Sequence, residues 1–186
     1  MDRSGWRVAR SLAWQLAFVA GVGLVAIGVS GLLALSMRAA FGTAFVAGDA
    51  EGVTYTASRC ADFLDYYPNA GGCEAAASDH HADEVVWYRI AAGVVGALVL
   101  AVRWMLGRRR PAWRSAPIPR AVVAAMGASL FGLAAVVLGG QGLGVLLIEG
   151  TRHGPGQWIS AGVVSLSVFA AFSVSLWRAL TESGIA

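Results

Sequence analysis

Lysine is absent from this chain: all fourteen basic residues among its 186 are Arg. Charge of either sign is scarce, with charged residues making up 13% of the total. A water-soluble domain carries about 25%, because its surface must face water, so a soluble globular fold is excluded. Cysteine is limited to Cys60 and Cys73, and no C-x-x-C pair occurs. The long apolar runs contain no Asp, Glu or His. That argues against a proton-coupled transporter or a haem protein, since both need ionisable or ligating groups at depth. No internal repeat is present, because the distinctive residues of the two helix pairs share no spacing.

What fills the chain instead is Ala, Val, Leu and Gly, at 57% hydrophobic residues and a mean hydropathy of +0.63. Together with the Arg-only basic set, this composition reads as a high-GC bacterial genome. Four uncharged or nearly uncharged runs, at 11–37, 85–106, 121–148 and 158–177, are each long enough to cross the roughly 30 Å hydrocarbon core as a helix. The expected fold is an all-α membrane protein: one domain, 1–186, built as an up-down bundle of four transmembrane helices. Arg89 and Arg103 lie near the ends of the second run, where both can snorkel to the headgroups. A signal peptide is the competing interpretation of the N-terminus. Its apolar run is about twice the usual 7–15 residues, and no clean small-x-small site closes it before Arg38, so cleavage is not expected.

Ten of the fourteen Arg residues bracket one side of the spans, which predicts cytoplasmic termini and a cytoplasmic link between spans two and three. The pI near 9.3 therefore does not imply nucleic acid, because the Arg residues frame apolar segments instead of forming one basic face. Arg108, Arg109, Arg110 and Arg114 are the expected contacts for anionic lipid at the cytoplasmic face, each worth about 1 kcal/mol near the surface. The loop at 41–84 then lies outside, with eight carboxylates against Arg59 alone. Trp and Tyr residues cluster near both boundaries, as interfacial belts do. The stretch RAAFGTAFVAG (38–48) reads as span one running on along the interface, with Phe41 and Phe45 dipping into lipid. The proline-rich link GRRRPAWRSAPIPR is expected to be extended.

Most of the polar chemistry sits in the outer loop. Cys60 and Cys73 enclose the turn-forming PNAGG (68–72), which in an oxidising compartment reads as a structural disulfide. The alternative is a thiol oxidoreductase, similar in layout to the bacterial quinone-linked disulfide-forming proteins. Those need a reactive C-x-x-C plus a shuttle pair, and Asp62, Asp65 and Glu74 surround these sulfurs with negative charge that would not activate a thiol. In DHHADE (79–84), a helix puts His80 and Glu84 on one face and Asp79 and Asp83 on the next. His80 and Glu84, with His153 from the second outer link, could hold a divalent metal. Otherwise the cluster is a solvated lead-in to span two, its carboxylates paired to Arg38 or Arg89, or a pH sensor built on His80 and His81.

Within the spans, GGQGLG (139–144) has no lysine and no preceding strand, so it is not a phosphate loop. Gly140 and Gly144 form a small-xxx-small pair that predicts close approach of another helix; a broken helix lining a solute site is the alternative. In span four, Ser160, Val164, Ser167, Ala171 and Arg178 line one seam with Ser175 on its shoulder, predicting helix packing or a water-lined path.

Short inner termini, a large disulfide-bearing first outer loop and a small second one resemble the layout of the claudin-like tetraspan proteins. The resemblance is one of topology: the Gly-Leu-Trp followed by Cys that marks that family's loop is absent between Gly48 and Cys60, and layout alone transfers no function. The expected role is a non-enzymatic accessory, assembly or sensory subunit whose acidic outer loop contacts another membrane or extracytoplasmic protein, or a second copy of the chain. The alternatives are a small homo-oligomeric channel or transporter and a metal- or redox-active protein built on Cys60, Cys73, His80 and His153.

Overall fold

The computed structural model describes residues 3–48, 56–109, 120–150 and 153–182. They form α1 (Arg3–Phe41), α2 (Thr43–Ala47), α3 (Ala57–Tyr66), α4 (Cys73–Arg109), α5 (Arg120–Ile148) and α6 (Pro155–Glu182). No strand occurs among the described residues. The helices α1, α4, α5 and α6 are long and apolar enough to span a membrane, and the chain is an all-α, four-helix, multi-pass membrane protein. Their outward surfaces fit only that setting: Leu133, Val136 and Leu147 are 66%, 73% and 82% exposed. Such faces need lipid, while the helices satisfy their own backbone groups internally.

At 39 and 37 residues, α1 and α4 are about 58 and 55 Å long by the helical rise, well beyond a bilayer core. The apolar pattern starts span two near residue 85, but the helix begins at Cys73, so the acidic DHHADE stretch forms helical turns continuous with the span. Ala, Glu and Asp in those turns tolerate helix, and hydropathy does not register it.

The bundle is two antiparallel helix pairs. In the first, glycines bring α1 and α4 into backbone contact: a Cβ at Gly28 would sit 2.5 Å from the Gly93 Cα, and one at Gly96 would sit 2.7 Å from the Leu24 Cβ. In the second, a Cβ at Gly162 would lie 2.7 Å from the Gly139 Cα, and one at Gly142 would lie 2.8 Å from the Ile159 backbone nitrogen. Small residues let helices approach in lipid, where van der Waals packing drives association. The expected pair, Gly140 and Gly144, does not make this approach within the chain, since a Cβ at either would meet nothing within 4 Å. The run GGQGLG offers several glycine faces, and α6 packs on the one carrying Gly139 and Gly142.

The two pairs join across α1 and α6 through a small core of Ala26, Ala124, Ala128, Phe131, Val164 and Phe172. Phe131 and Phe172 stack with ring centres 5.8 Å apart, and Phe18 meets Phe172 edge-on at 6.2 Å. At the end of the bundle carrying the disulfide, α2 closes the top. Gly42, at φ 89°, breaks α1 and turns the chain back, a conformation costly for any side chain. Val46 is consequently fully buried, packing with Ala34, Val86 and the partly buried Phe45. The expectation that this stretch runs along the interface is corrected: Phe41 stays exposed, but Phe45 and Val46 turn inward because the glycine hinge lets α2 fold over α1, α4 and α6. Gly154, at φ 70°, leaves room for α2, as a Cβ there would lie 2.8 Å from the Gly48 nitrogen. Pro155 follows as the first residue of α6, where its missing N–H costs nothing.

Candidate functional site

Polar side chains gather in three places, the first around the disulfide. Cys60 and Cys73 are bonded, with Cα atoms 5.3 Å apart, tying α3 to the start of α4. Asp79 and Asp83 lie one turn apart on α4 and face the end of α1, where the Arg38 guanidinium takes both carboxylates, Asp79 at 2.9 Å. Thr43 donates to Asp79 at 2.7 Å, Tyr67 donates to Asp83 at 2.6 Å, and Ser78 donates to the Gly48 carbonyl at 3.0 Å. One Arg thus ties together α1, α2, α4 and Tyr67, the residue that follows α3. Desolvation first, then the hydrogen bond to Asp83, push the Tyr67 hydroxyl up from 10.0 to about 12, so it is a proton donor at any physiological pH.

The residues expected to share a metal ion are placed apart. His80 lies against α3, its ring 5.2 Å from Phe63 and 6.3 Å from Tyr67. Glu84 is solvent-exposed, and the His153 Nδ1 is 2.9 Å from the Glu149 carbonyl, within its own turn. The set His80, Glu84 and His153 is not assembled, and among the described residues no three His, Cys, Asp or Glu side chains are placed to share a metal ion. The Phe63 ring of α3 flanks His80, which stays solvent-exposed like Glu84.

The second place is Arg89. Its Cβ lies against the backbone of α1 at Gly31, and its guanidinium reaches α6, donating to the Gln157 carbonyl at 3.2 Å and to the Ser160 hydroxyl at 3.3 Å. Ser160 is fully buried and donates to the same carbonyl at 2.9 Å. Neutral oxygens receive this Arg, and no ion pair forms there among the described residues. Arg89 therefore links α4 to α6, where a snorkelling side chain was expected.

The third is a cleft of about 1080 Å³ between the two pairs, in the half of the bundle nearer the chain termini. Its walls come from Trp14, Phe18 and Val22 of α1, Leu100 and Trp104 of α4, Val123 and Ala124 of α5, and Val164, Ala171 and Phe172 of α6. The predicted α6 seam is divided: Ser160 is buried beneath Arg89, Val164 belongs to the core, and Ser167 and Ser175 face the cleft. Both of those hydroxyls bond carbonyls of their own helix at 2.9 Å. Among the described residues lining the cleft, the one charged side chain is Arg103. Its guanidinium carbon lies 5.0 Å from the Trp14 ring centre and 4.5 Å from that of Phe18. It donates a long 3.4 Å bond to Gln15 Oε1, and its Nε is buried without a hydrogen-bond partner.

No family model matches the chain, and no curated protein or solved structure shows significant similarity to it. The site is therefore read from its own geometry.

Of the expected lipid contacts, Arg108 is placed, its guanidinium carbon 3.8 Å above the Trp104 ring, and Arg109 closes α4. Arg110, Arg114 and the rest of the proline-rich link to residue 119 lie outside the described residues. Sequence reasoning missed Gln15 and the depth at which Arg103 is held. The available signal was Gln15 itself, an amide set in an otherwise apolar run.

Proposed function

We propose that this chain is a non-enzymatic integral membrane partner protein, an accessory, assembly or sensory subunit, that presents its acidic loop to another protein. The orientation that accompanies this role puts both termini in the cytoplasm of a bacterial cell and the disulfide end outside, on the strength of the Arg distribution. One observation supports the role above the rest: the loop carries a prebuilt helical platform. The disulfide and the Arg38 network hold α3 and the first turns of α4 in place. Asp79 and Asp83 are consumed internally, while Asp62, Asp65, Glu74 and the aromatic ring of Tyr66 stay exposed. A rigid surface combining acids and an aromatic ring lowers the ordering entropy of binding, and Tyr is among the residues that anchor interfaces. The partner surface it fits is basic.

Photo-crosslinking tests the role. A photoreactive residue replacing Tyr66 should capture one dominant protein in intact cells, and the same residue replacing Val136 should not. The captured protein should co-purify stoichiometrically, and Asp62→Arg with Asp65→Arg should abolish the complex while the disulfide still forms. Capture that survives charge reversal, or equal capture from Val136, would overturn the proposal.

A further inference from the structure

The Arg103 cleft has a built-in charge and, among the described residues, no carboxylate paired to it. We infer that it holds an anionic phospholipid drawn from the leaflet at the terminal end of the bundle, with the phosphate on Arg103 and an acyl chain between the helix pairs.

Three observations converge on that occupant. First, the volume of about 1080 Å³ exceeds the 300–1,000 Å³ typical of sites for drug-sized ligands, and most of its lining is aliphatic or aromatic. Such a space, set between membrane-spanning helices, takes a hydrocarbon chain. Second, Arg103 is under-satisfied. A guanidinium offers five N–H donors, yet among the described residues this one has a single long bond, to a neutral amide, and a buried Nε without an acceptor. The rings of Trp14 and Phe18 hold it in place and accept no conventional hydrogen bond. A phosphate presents several acceptor oxygens and complements the planar fork of Arg. Third, the charged side chains placed at the cleft, Arg103 and Arg108, are both basic. Arg108 lies over Trp104, which lines the cleft, and neither Arg103 nor Arg108 forms an ion pair among the described residues. Basic pockets between transmembrane helices are recognised sites for anionic headgroups.

The inference does not depend on the partner-protein reading, because the cleft and the α3 platform lie at opposite ends of the bundle. Protein purified in mild detergent should carry about one phosphatidylglycerol-class lipid per chain by native mass spectrometry. Arg103→Gln, which keeps a hydrogen-bonding head and removes the charge, should lower retention at least tenfold while Arg108→Gln leaves most of it. A second measurement needs no variant. In phosphatidylcholine vesicles doped with diazirine-tailed phosphatidylglycerol, labelling of wild-type protein should concentrate on residues 164–175 of α6. Unlabelled phosphatidylglycerol should compete and phosphatidylcholine should not. Retention of zwitterionic and anionic lipids alike, retention of free fatty acid only, labelling spread evenly over lipid-facing α5, or full retention by Arg103→Gln would each overturn the inference.

Discussion

Gly93→Ala adds one methyl group at the closest approach of α1 and α4, and its cost follows from the geometry. The new Cβ would lie 2.7 Å from the Gly28 Cα and 3.4 Å from the Gly28 nitrogen. Non-bonded carbons rest at about 3.5–4.0 Å, so the helices must separate by roughly 1 Å at that point. The obstruction is backbone on a helix, which cannot turn aside as a side-chain tip can. Overpacking of this kind costs about 1–3 kcal/mol. Ala is a better helix former than Gly by about 0.8–1.0 kcal/mol, which offsets part of that cost, leaving a net loss of about 0–2 kcal/mol. Gly140→Ala supplies the internal control, since its Cβ meets nothing within 4 Å and only the propensity gain remains. The two variants should therefore move apparent melting temperature in mild detergent in opposite directions, Gly93→Ala down and Gly140→Ala level or up. Gly93→Leu should be far worse than Gly140→Leu. Equal melting of Gly93→Ala and Gly140→Ala would refute the claim that the α1–α4 seam is built on backbone contact.

Reducing Cys60–Cys73 should free α3 without unfolding the four long helices. Closing a loop of this size is worth about 3 kcal/mol in the chain-entropy model, so limited proteolysis after a reductant should cut near α3 first and spare the spans. Tyr67 predicts an alkaline transition. Its folded pKa is raised to about 12 from 10.0, so its contribution to stability is complete below pH 10 and is lost as pH climbs through 12. Denaturation curves across that range should slope downward for the wild type, and Tyr67→Phe should flatten the slope; an unchanged slope would show that Tyr67 is not its source. Replacing Arg108, Arg109 and Arg110 with Gln should reduce association with anionic vesicles, at about 1 kcal/mol per residue near the surface. It should also weaken the topological bias that accessibility labelling reports. Unaltered vesicle binding would remove these residues from the lipid contact.

The four spans were legible in the sequence because lipid imposes a one-dimensional rule. A segment must be apolar over enough residues to cross, and it must satisfy its own backbone; hydropathy reads both. The Cys60–Cys73 bond was legible too, from two cysteines flanking one turn-forming stretch. Which faces meet was not. The sequence offers glycines at 139, 140, 142 and 144 on one helix, and only the position of α6 selects Gly139 and Gly142 over Gly140 and Gly144. The seam of Gly28, Gly93 and Gly96 likewise acquires meaning only when α4 lies antiparallel to α1. The charged residues show the same division. Spacing put Asp79 with Asp83 and His80 with Glu84, but tertiary contact decided that Arg38 consumes the first pair and that Phe63 of α3 sits beside His80. Arg89 and Arg103 read as snorkelling side chains from their places in the span. What they reach is set by neighbours some seventy to ninety residues away in the chain, the Gln157 carbonyl and Gln15, because a side chain in low dielectric goes to whatever oxygen the packing brings within reach.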